Sequence, residues 1–131
     1  MRLLLDTHIA IWLVNGDPKL SPEIKEVIDS VDDGIFVSAA SIWEISIKYA
    51  LQKRNRDIMP FSGTEALAAF QFAGLYLLNI TPNHAAAVDT IPPLHGDPFD
   101  RLLISQARHE SLHLLTCDRK LADYGDYILI V

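Results

Sequence analysis

The sequence predicts an α/β fold in which a mostly parallel central sheet lies between helices on both faces. Short apolar runs such as Leu3–Leu5 and Leu114–Leu115 stop at polar residues, which is typical of strands buried on both faces of a parallel sheet. Segments with helical spacing alternate with these runs, and β-α alternation of this kind favours a parallel sheet covered by helices. With 131 residues, half of them hydrophobic, the chain is expected to form one domain over 1–131.

Local signals predict each element in the first half of the chain. Asp6 ends the first strand and caps the helix behind it, and Ser21 followed by Pro22 is a helix start. In chain order, the predicted elements are a strand over 2–6, a helix over 7–14, a helix that begins at 21–22, a strand over 35–38, a helix over 39–52 and a helix from 62 or 64 to 74. The apolar stripe of the 39–52 helix is predicted to be Trp43, Ile47, Ala50 and Leu51.

The second half continues the alternation. Gly74 stops the preceding helix, and Asp97 followed by Pro98 opens a well-marked one. The predicted elements are a strand over 75–80, a small helix over 82–90, a loop over 91–96, a helix over 98–110 and strands over 113–117 and 127–131.

Charge and cysteine content narrow the class of protein. A net charge of −6 argues against a protein held tightly and non-specifically to nucleic acid by charge alone. The basic group of Lys53, Arg54 and Arg56 is either a solvated loop or a substrate contact. The single cysteine, Cys117, fits a reducing compartment and is expected to be a small buried hydrophobe. Asp6 and His8 interrupt the apolar N-terminal segment, so we expect a cytoplasmic protein without a membrane span.

Acidic residues are placed where ligands bind in such a fold. Asp6 and Asp118 end two strands, and open α/β sheets bind ligands at that edge. Asp97 and Asp100 start the 98–110 helix, and Glu44 lies one turn into the 39–52 helix.

Each of these acids also has a purely structural interpretation. Asp6, Asp97 and Asp118 precede helix-like segments, where an aspartate is the ordinary N-cap. Glu44 can pair with Lys48 four residues later. Asp100 differs, because it shares an inward-facing stripe with Leu103, Ile104 and Ala107, where an unpaired carboxylate is costly.

A divalent cation would neutralise such a cluster of carboxylates. Oxygen ligands favour Mg²⁺ or Mn²⁺. Zinc fits less well, because the five histidines have no paired ligand spacing, although His95 lies in a loop that could approach the site. The histidines are His8, His84, His95, His109 and His113.

Four segments, in order, resemble the signature segments of PIN-domain ribonucleases, and in particular of the VapC-type toxins. They are Leu3-Leu4-Leu5-Asp6-Thr7-His8, Ser41-Ile42-Trp43-Glu44-Ile45, His95-Gly96-Asp97-Pro98-Phe99-Asp100-Arg101-Leu102-Leu103 and Leu115-Thr116-Cys117-Asp118. The resemblance covers essentially the whole chain. It implies a three-layer α/β/α PIN-like domain with Mg²⁺ or Mn²⁺ held by three or four acidic residues at the strand ends. By matching motif these are Asp6, Glu44, Asp100 and Asp118, with Asp97 as a cap or an additional ligand.

The resemblance also implies a function. The chain would be a metal-dependent endoribonuclease, the toxin of a type II toxin–antitoxin pair, which hydrolyses RNA with a metal-activated water and inhibits translation. It would bind a cognate antitoxin and form a homodimer.

Supporting roles are less specific. Thr7 or Thr116 would orient the attacking water, or else satisfy nearby backbone groups. Lys48 and Arg101 would hold a substrate phosphate or steer the acids, or else act as structural partners.

Two other functions stay open at this point. One is a catalytically inactive PIN-like interaction module, whose acids are only caps and ion-pair members. The other is a phosphatase with Asp6 as nucleophile, as in haloacid-dehalogenase-like enzymes. Those enzymes usually carry a second aspartate two residues later, where this chain has His8.

Overall fold

The computed structural model describes residues 1–52 and 59–131, and its strands form a parallel sheet. Among these residues the strands are β1 (Leu3–Leu5), β2 (Ile35–Ser38), β3 (Tyr76–Leu78), β4 (His113–Thr116) and β5 (Ile128–Ile130). Their spatial order is β3-β2-β1-β4-β5, and every neighbouring pair is parallel. The predicted mostly parallel sheet is therefore confirmed, with β1 at its centre.

The helices cover both faces of this sheet. They are α1 (Thr7–Asn15), α2 (Pro22–Asp29), α3 (Ala39–Leu51), α4 (Gly63–Phe72), α5 (Pro82–Ala86) and α6 (Pro98–Glu110), with 3₁₀ turns at Ala87–Thr90 and Arg119–Tyr124. The sequence had indicated one helix over 82–90, which the structure divides into α5 and a 3₁₀ turn.

Alternating strand residues divide the core into two layers. Leu3, Leu5 and Leu115 pack with the first helices of the chain in one hydrophobic cluster. Leu4 and Leu114 point to the other face, where they pack with residues of α6. Side chains of a strand alternate between faces, so the continuous apolar runs fill both layers of an α/β/α sandwich.

Helix starts follow the predicted caps. The Asp6 carboxylate accepts from the His8 amide, and Ser21 accepts from the Ile24 amide with Pro22 behind it. Ser62 and Glu65 form a capping box that starts α4. Asp97 caps α6, again with a proline in the first turn.

The predicted apolar stripe of α3 is wrong. Trp43 and Leu51 are 56% and 74% exposed, and the buried residues of this helix are Ala40, Ser41, Glu44 and Ile45. The helix is therefore rotated relative to the prediction, so that an acid occupies a core-facing position and a tryptophan faces solvent.

Two other expectations concern a basic group and a membrane span. The basic group of Lys53, Arg54 and Arg56 lies outside the described residues. Among the described residues, no helix combines the length and the apolar character that crossing a membrane requires.

Leu114→Ala is expected to destabilise the fold by about 2–5 kcal/mol, because it leaves a cavity at a fully buried position of β4. Urea unfolding measures the change. Leu51→Ala is the matched control: the same atoms are removed from a side chain that is 74% exposed, so the loss should stay within about 0.5 kcal/mol. Equal losses for the two variants would contradict this assignment of the core.

Candidate metal centre

Asp6 and Asp118 meet because β1 and β4 are paired neighbours. Leu5 is in register with Leu115, and the Asp6 amide donates to the Leu115 carbonyl at 2.9 Å. One residue further, the buried Thr116 hydroxyl donates to Asp6 Oδ2 at 2.5 Å and accepts from the Asp118 amide at 3.0 Å. A single hydroxyl thus links the carboxylate at the end of one strand to the backbone at the end of the other.

Glu44 enters the same region from α3. It is only 5% exposed, and its Oε2 accepts from Lys48 Nζ at 2.7 Å. A buried carboxylate needs a positive partner, and Lys48 provides one from the next helical turn. The predicted i,i+4 pair is present, although its acid lies in the interior rather than on the surface.

Asp97 and Asp100 have different environments at the start of α6. Asp97 Oδ1 accepts from the amides of Phe99 and Asp100 at 2.8 and 3.2 Å, so one of its oxygens serves as the helix cap. Asp100 Oδ2 lies 2.8 Å from His95 Nε2, and that nitrogen is 3.9 Å from Asp118 Oδ2. His95 therefore lies between Asp100 and Asp118. From the sequence we expected only that its loop could approach the site.

All five acids line one cleft of about 310 Å³. Its walls are Asp6, His8, Ile9, Trp12, Glu44, Lys48, Asp97, Asp100, Cys117 and Asp118. The structure thus brings together the four acids selected by motif and the additional candidate, from β1, α3, the start of α6 and the end of β4.

Burial, together with the neighbouring negative charge, changes the titration of Asp100. Burial raises the pKa of Asp100 to about 6, with a further increase from the nearby Asp6 carboxylate, while the hydrogen bond from His95 opposes the shift. Such crowding of acids is unfavourable in the absence of a cation.

Two supporting residues, Thr7 and Arg101, are placed differently from their proposed active-site roles. Thr7 is buried and donates to Ser41 Oγ at 2.8 Å, so its hydroxyl serves the packing of α1 on α3. Arg101 donates to four backbone carbonyls, which hold the loop before α6 in place. Those carbonyls belong to Val88, Ile91, Pro92 and His95. The guanidinium therefore has a structural role, whereas Lys48 lines the cleft.

Cys117 also differs from its prediction as a buried hydrophobe. Its side chain is exposed and lines the cleft, because β4 ends at Thr116 and leaves Cys117 beyond the sheet. Burial of part of the thiol and the nearby Asp6 carboxylate raise its pKa, so the group is held as a neutral thiol.

The donor atoms in the cleft fit a hard divalent cation. Ligand atoms of His95, Asp100 and Asp118 lie within 4.8 Å of one another, and the adjoining Asp6 and Glu44 are almost fully buried carboxylates. Carboxylate oxygens are the ligands that Mg²⁺ and Mn²⁺ prefer. His95 adds a ring nitrogen to the oxygen donors that the sequence predicts.

A second histidine-containing cluster has the hydrogen bonding of a structural group. His84, His109 and Glu110 also place ligand atoms within 4.8 Å of one another. However, His84 Nδ1 accepts from the Thr81 amide at 3.0 Å, so its Nε2 carries the proton and donates to Glu110 at 2.9 Å. A histidine that binds a metal through one ring nitrogen normally donates a hydrogen bond from the other. In His84, Nδ1 accepts a hydrogen bond and Nε2 donates one, so neither nitrogen is left for a metal.

The parallel sheet, with acids gathered at the carboxyl ends of its central strands, defines the class of protein as a PIN domain. The family model described as PIN domain matches residues 3–127, and the chain belongs to this family. Among curated proteins, it is similar to Ribonuclease VapC22 of Mycobacterium tuberculosis, with 29% identity over 123 residues that cover 93% of this chain and 91% of that protein.

Solved structures show the same fold at low sequence identity. VapBC2 from Rickettsia felis, bound to a DNA fragment from the promoter, aligns with a TM-score of 0.70 and 17% identity over 100% of this chain and 98% of that chain. DNA-bound VapBC from Salmonella typhimurium gives a TM-score of 0.68 and 16% identity over 100% and 97% of the two chains. VapC20 of Mycobacterium tuberculosis, described as a sarcin-ricin loop cleaving toxin, gives 0.64 and 13% over 94% and 95%.

Thr116→Val should lower the affinity for Mn²⁺ by roughly 10- to 100-fold, because it removes the hydroxyl that orients Asp6 and binds the Asp118 amide. Isothermal titration calorimetry measures this affinity. Thr7→Val is the control, since it removes a buried hydroxyl from the same edge of the sheet without touching an acid. If both variants bind Mn²⁺ equally well, Thr116 does not position the metal ligands.

Asp100→Asn is expected to raise the Tm of the metal-free protein at pH 7.5. Because the folded-state pKa of Asp100 is about 6, above the unfolded value of 3.8, stability declines as the pH rises between these values. Above pH 6 the native protein carries an ionised, partly buried carboxylate at this position, whereas the variant carries a neutral amide. Thermal unfolding in EDTA at pH 5 and 7.5 should show the larger gain at pH 7.5.

The control for this variant is Asp89→Asn, which changes the net charge equally at an exposed position. A comparable increase in the Tm of that variant would assign the effect to net charge. A gain from Asp100→Asn that is the same at both pH values would contradict the raised pKa.

Proposed function

We propose that this PIN domain is a metal-dependent endoribonuclease that acts as the toxin of a toxin–antitoxin pair. The observation that carries the proposal is the convergence of five acids in one cleft, two of them with side chains held almost entirely inside the protein. Buried carboxylates that gain no stability from their mutual proximity are typical of a site selected for function.

Four acids would hold the cation. Asp6 and Asp118 would be the central ligands, and Glu44 and Asp100 would bind the metal or its waters. Asp97 Oδ1 accepts two backbone amides as the helix cap, whereas Asp6 and Asp118 each accept one, so Asp97 is retained as a cap or an additional ligand. The ion would be Mg²⁺ or Mn²⁺, and when bound it supplies an activated water and neutralises charge on the phosphoryl oxygens.

The protein's own groups prepare the site for this chemistry. Thr116 fixes the orientation of Asp6, and His95 holds Asp100 by a hydrogen bond at 2.8 Å. Lys48 forms an ion pair with Glu44 and also lines the cleft, and in this proposal its ammonium group would face the reacting phosphate of the RNA.

The biological role rests on similarity to named relatives. A curated relative is named a ribonuclease, and one structural relative is described as a toxin that cleaves the sarcin-ricin loop. We infer that RNA is the substrate here and that its cleavage inhibits translation. Because two of the similar structures were solved as DNA-bound VapBC complexes, we also infer a cognate antitoxin. We retain a homodimer in the cytoplasm as the working assembly.

An inactive interaction module is the alternative that specific contacts favour. Asp6, Asp97 and Asp118 all accept backbone amide hydrogen bonds as caps, and Glu44 is paired with Lys48. These contacts would exist without any catalysis, so activity measurements must decide between the two functions.

Asp6→Asn and Asp118→Asn should each lower RNA cleavage more than about 100-fold, because each removes a negative charge from the centre of the metal site. Cleavage of a total RNA preparation by the purified chain is measured in Mg²⁺, in Mn²⁺ and in EDTA. EDTA should abolish cleavage, and excess Mn²⁺ should restore it.

The control is Asp89→Asn, an equal charge change outside the cleft, which should retain full activity. Cleavage that survives both active-site substitutions and EDTA would disprove the metal mechanism. A lack of cleavage by the native chain, with intact Mn²⁺ binding, would favour the interaction module.

A further inference from the structure

Trp43 is a large apolar side chain that the fold leaves 56% exposed. It is in neither of the two hydrophobic clusters of the described residues. Its ring contact is with Phe99, with centroids 5.2 Å apart and an interplanar angle of 70°. The core therefore does not explain Trp43, and the edge-to-face contact fixes the indole while it leaves much of the ring surface accessible.

The position of this aromatic pair connects it to the cleft. Trp43 immediately precedes Glu44 on α3, and Phe99 lies between Asp97 and Asp100 at the start of α6. All three acids line the cleft, whereas the two aromatic residues are not among its lining residues. The pair thus lies beside the acidic cleft, on the two helices, α3 and α6, that contribute these three acids.

The electrostatics of the cleft limit what can hold an RNA strand there. The chain carries a net charge of −6, and the cleft concentrates five acids. Of the basic side chains that the structure describes, Lys48 in the cleft wall is paired with Glu44, Arg101 is bound to backbone carbonyls, and the exposed Arg119 and Lys120 follow Asp118. A bound cation would compensate charge at the reacting phosphate, and a contact that does not depend on positive charge would help to hold a flanking nucleotide beside this acidic cleft. Stacking of a base on an aromatic ring is such a contact, and it tolerates any sequence.

We propose that Trp43, held in place by Phe99, is the surface on which a nucleobase next to the cleaved phosphate stacks when single-stranded RNA occupies the cleft. The inference rests on the proposed function for the reacting phosphate. It adds a positioning residue to that function: Trp43 contacts the base and aligns the strand, and the acids and metal carry out the chemistry.

The first test compares cleavage by Trp43→Ala, Trp43→Phe and Phe72→Ala. Phe72 is 96% exposed at the end of α4, so its removal controls for loss of any exposed aromatic ring. Trp43→Ala should raise KM for a single-stranded RNA oligonucleotide about tenfold while kcat changes less than about twofold. Trp43→Phe should recover most of the loss, Phe72→Ala should match the native chain, and the Tm of all three should remain near the native value.

A modified substrate isolates the stacking contact. One oligonucleotide carries an abasic residue on the 5′ side of the cleaved bond, and a second carries it on the 3′ side. One of the two therefore lacks the base that would stack on Trp43. For one of these two substrates, the native chain and Trp43→Ala should have the same KM. A tenfold difference that persists on both abasic substrates would overturn stacking at this position.

A binding measurement keeps this proposal separate from the catalytic one. In a Trp12→Phe background, Trp43 is the remaining tryptophan, and a mixed-sequence RNA decamer in Mg²⁺ should quench its emission. A fully abasic decamer should not. Quenching without any cleavage would disprove the proposed function but support stacking. If the native chain cleaves RNA and Asp6→Asn does not, but RNA fails to quench Trp43 in the Trp12→Phe background, stacking alone is disproved.

Other occupants of this surface give different results. If Trp43 contacts a second copy of the chain, Trp43→Ala will lower the molecular mass measured by light scattering, and RNA will not quench Trp43. If it contacts only a protein partner, the variant will retain its native mass and its KM for RNA. Either result overturns the proposal.

Discussion

The parallel pairing of β1 with β4 is the constraint on which the site depends. Those strands are far apart in sequence, yet their register places Leu5 beside Leu115 and therefore Asp6 beside Thr116. Side chains alternate along a strand, so a register shift by one residue would turn the apolar residues of one core layer toward the other. The same packing that separates Leu4 from Leu5 therefore fixes the spacing between the two strand-end acids. The geometry of the cleft is set by the hydrophobic core rather than by contacts among the acids themselves.

Satisfied hydrogen bonds make this concentration of acids tolerable. Asp6, Asp97 and Asp118 each accept at least one backbone amide, Thr116 adds a hydroxyl to Asp6, and Lys48 neutralises Glu44. These contacts stabilise ionised carboxylates that burial would otherwise disfavour. Asp100 is the member for which the compensation is incomplete, because burial and Asp6 outweigh its hydrogen bond from His95. Functional sites commonly retain such local destabilisation, since a bound ligand then relieves it. The capping and metal-binding interpretations of these acids are thus compatible, because each carboxylate oxygen has more than one lone pair, so an oxygen that accepts a hydrogen bond can still face a cation.

Local signals in the sequence were sufficient for most of the fold. Apolar runs predicted the strands, and Asp97 with Pro98 predicted the start of α6, since caps and turns act over three or four residues. Contacts that depend on distant segments were harder to predict. The hydrogen bonds from Arg101 to a preceding loop and the position of His95 between two acids follow from how that loop folds back over α6. The sequence indicated both residues as candidates near the site, but only the folded chain shows that Arg101 holds the loop and that His95 contacts the acids.

The error in α3 has a physical reason that also bears on function. A hydrophobic pattern orients a helix by assuming that its most apolar residues face the core. In α3 that assumption fails, because Glu44 occupies an interior position with Lys48 as its partner while Trp43 is exposed. Burying an acid and exposing an indole are both unfavourable for folding alone, and they occur at adjacent residues of one helix. Both departures have one explanation if the orientation of α3 is set by function. Glu44 would then face a bound cation, and Trp43 would face the RNA strand that the cation contacts. The failure of the apolar pattern is therefore itself a signal of the site, and it involves the same segment that carries the family resemblance.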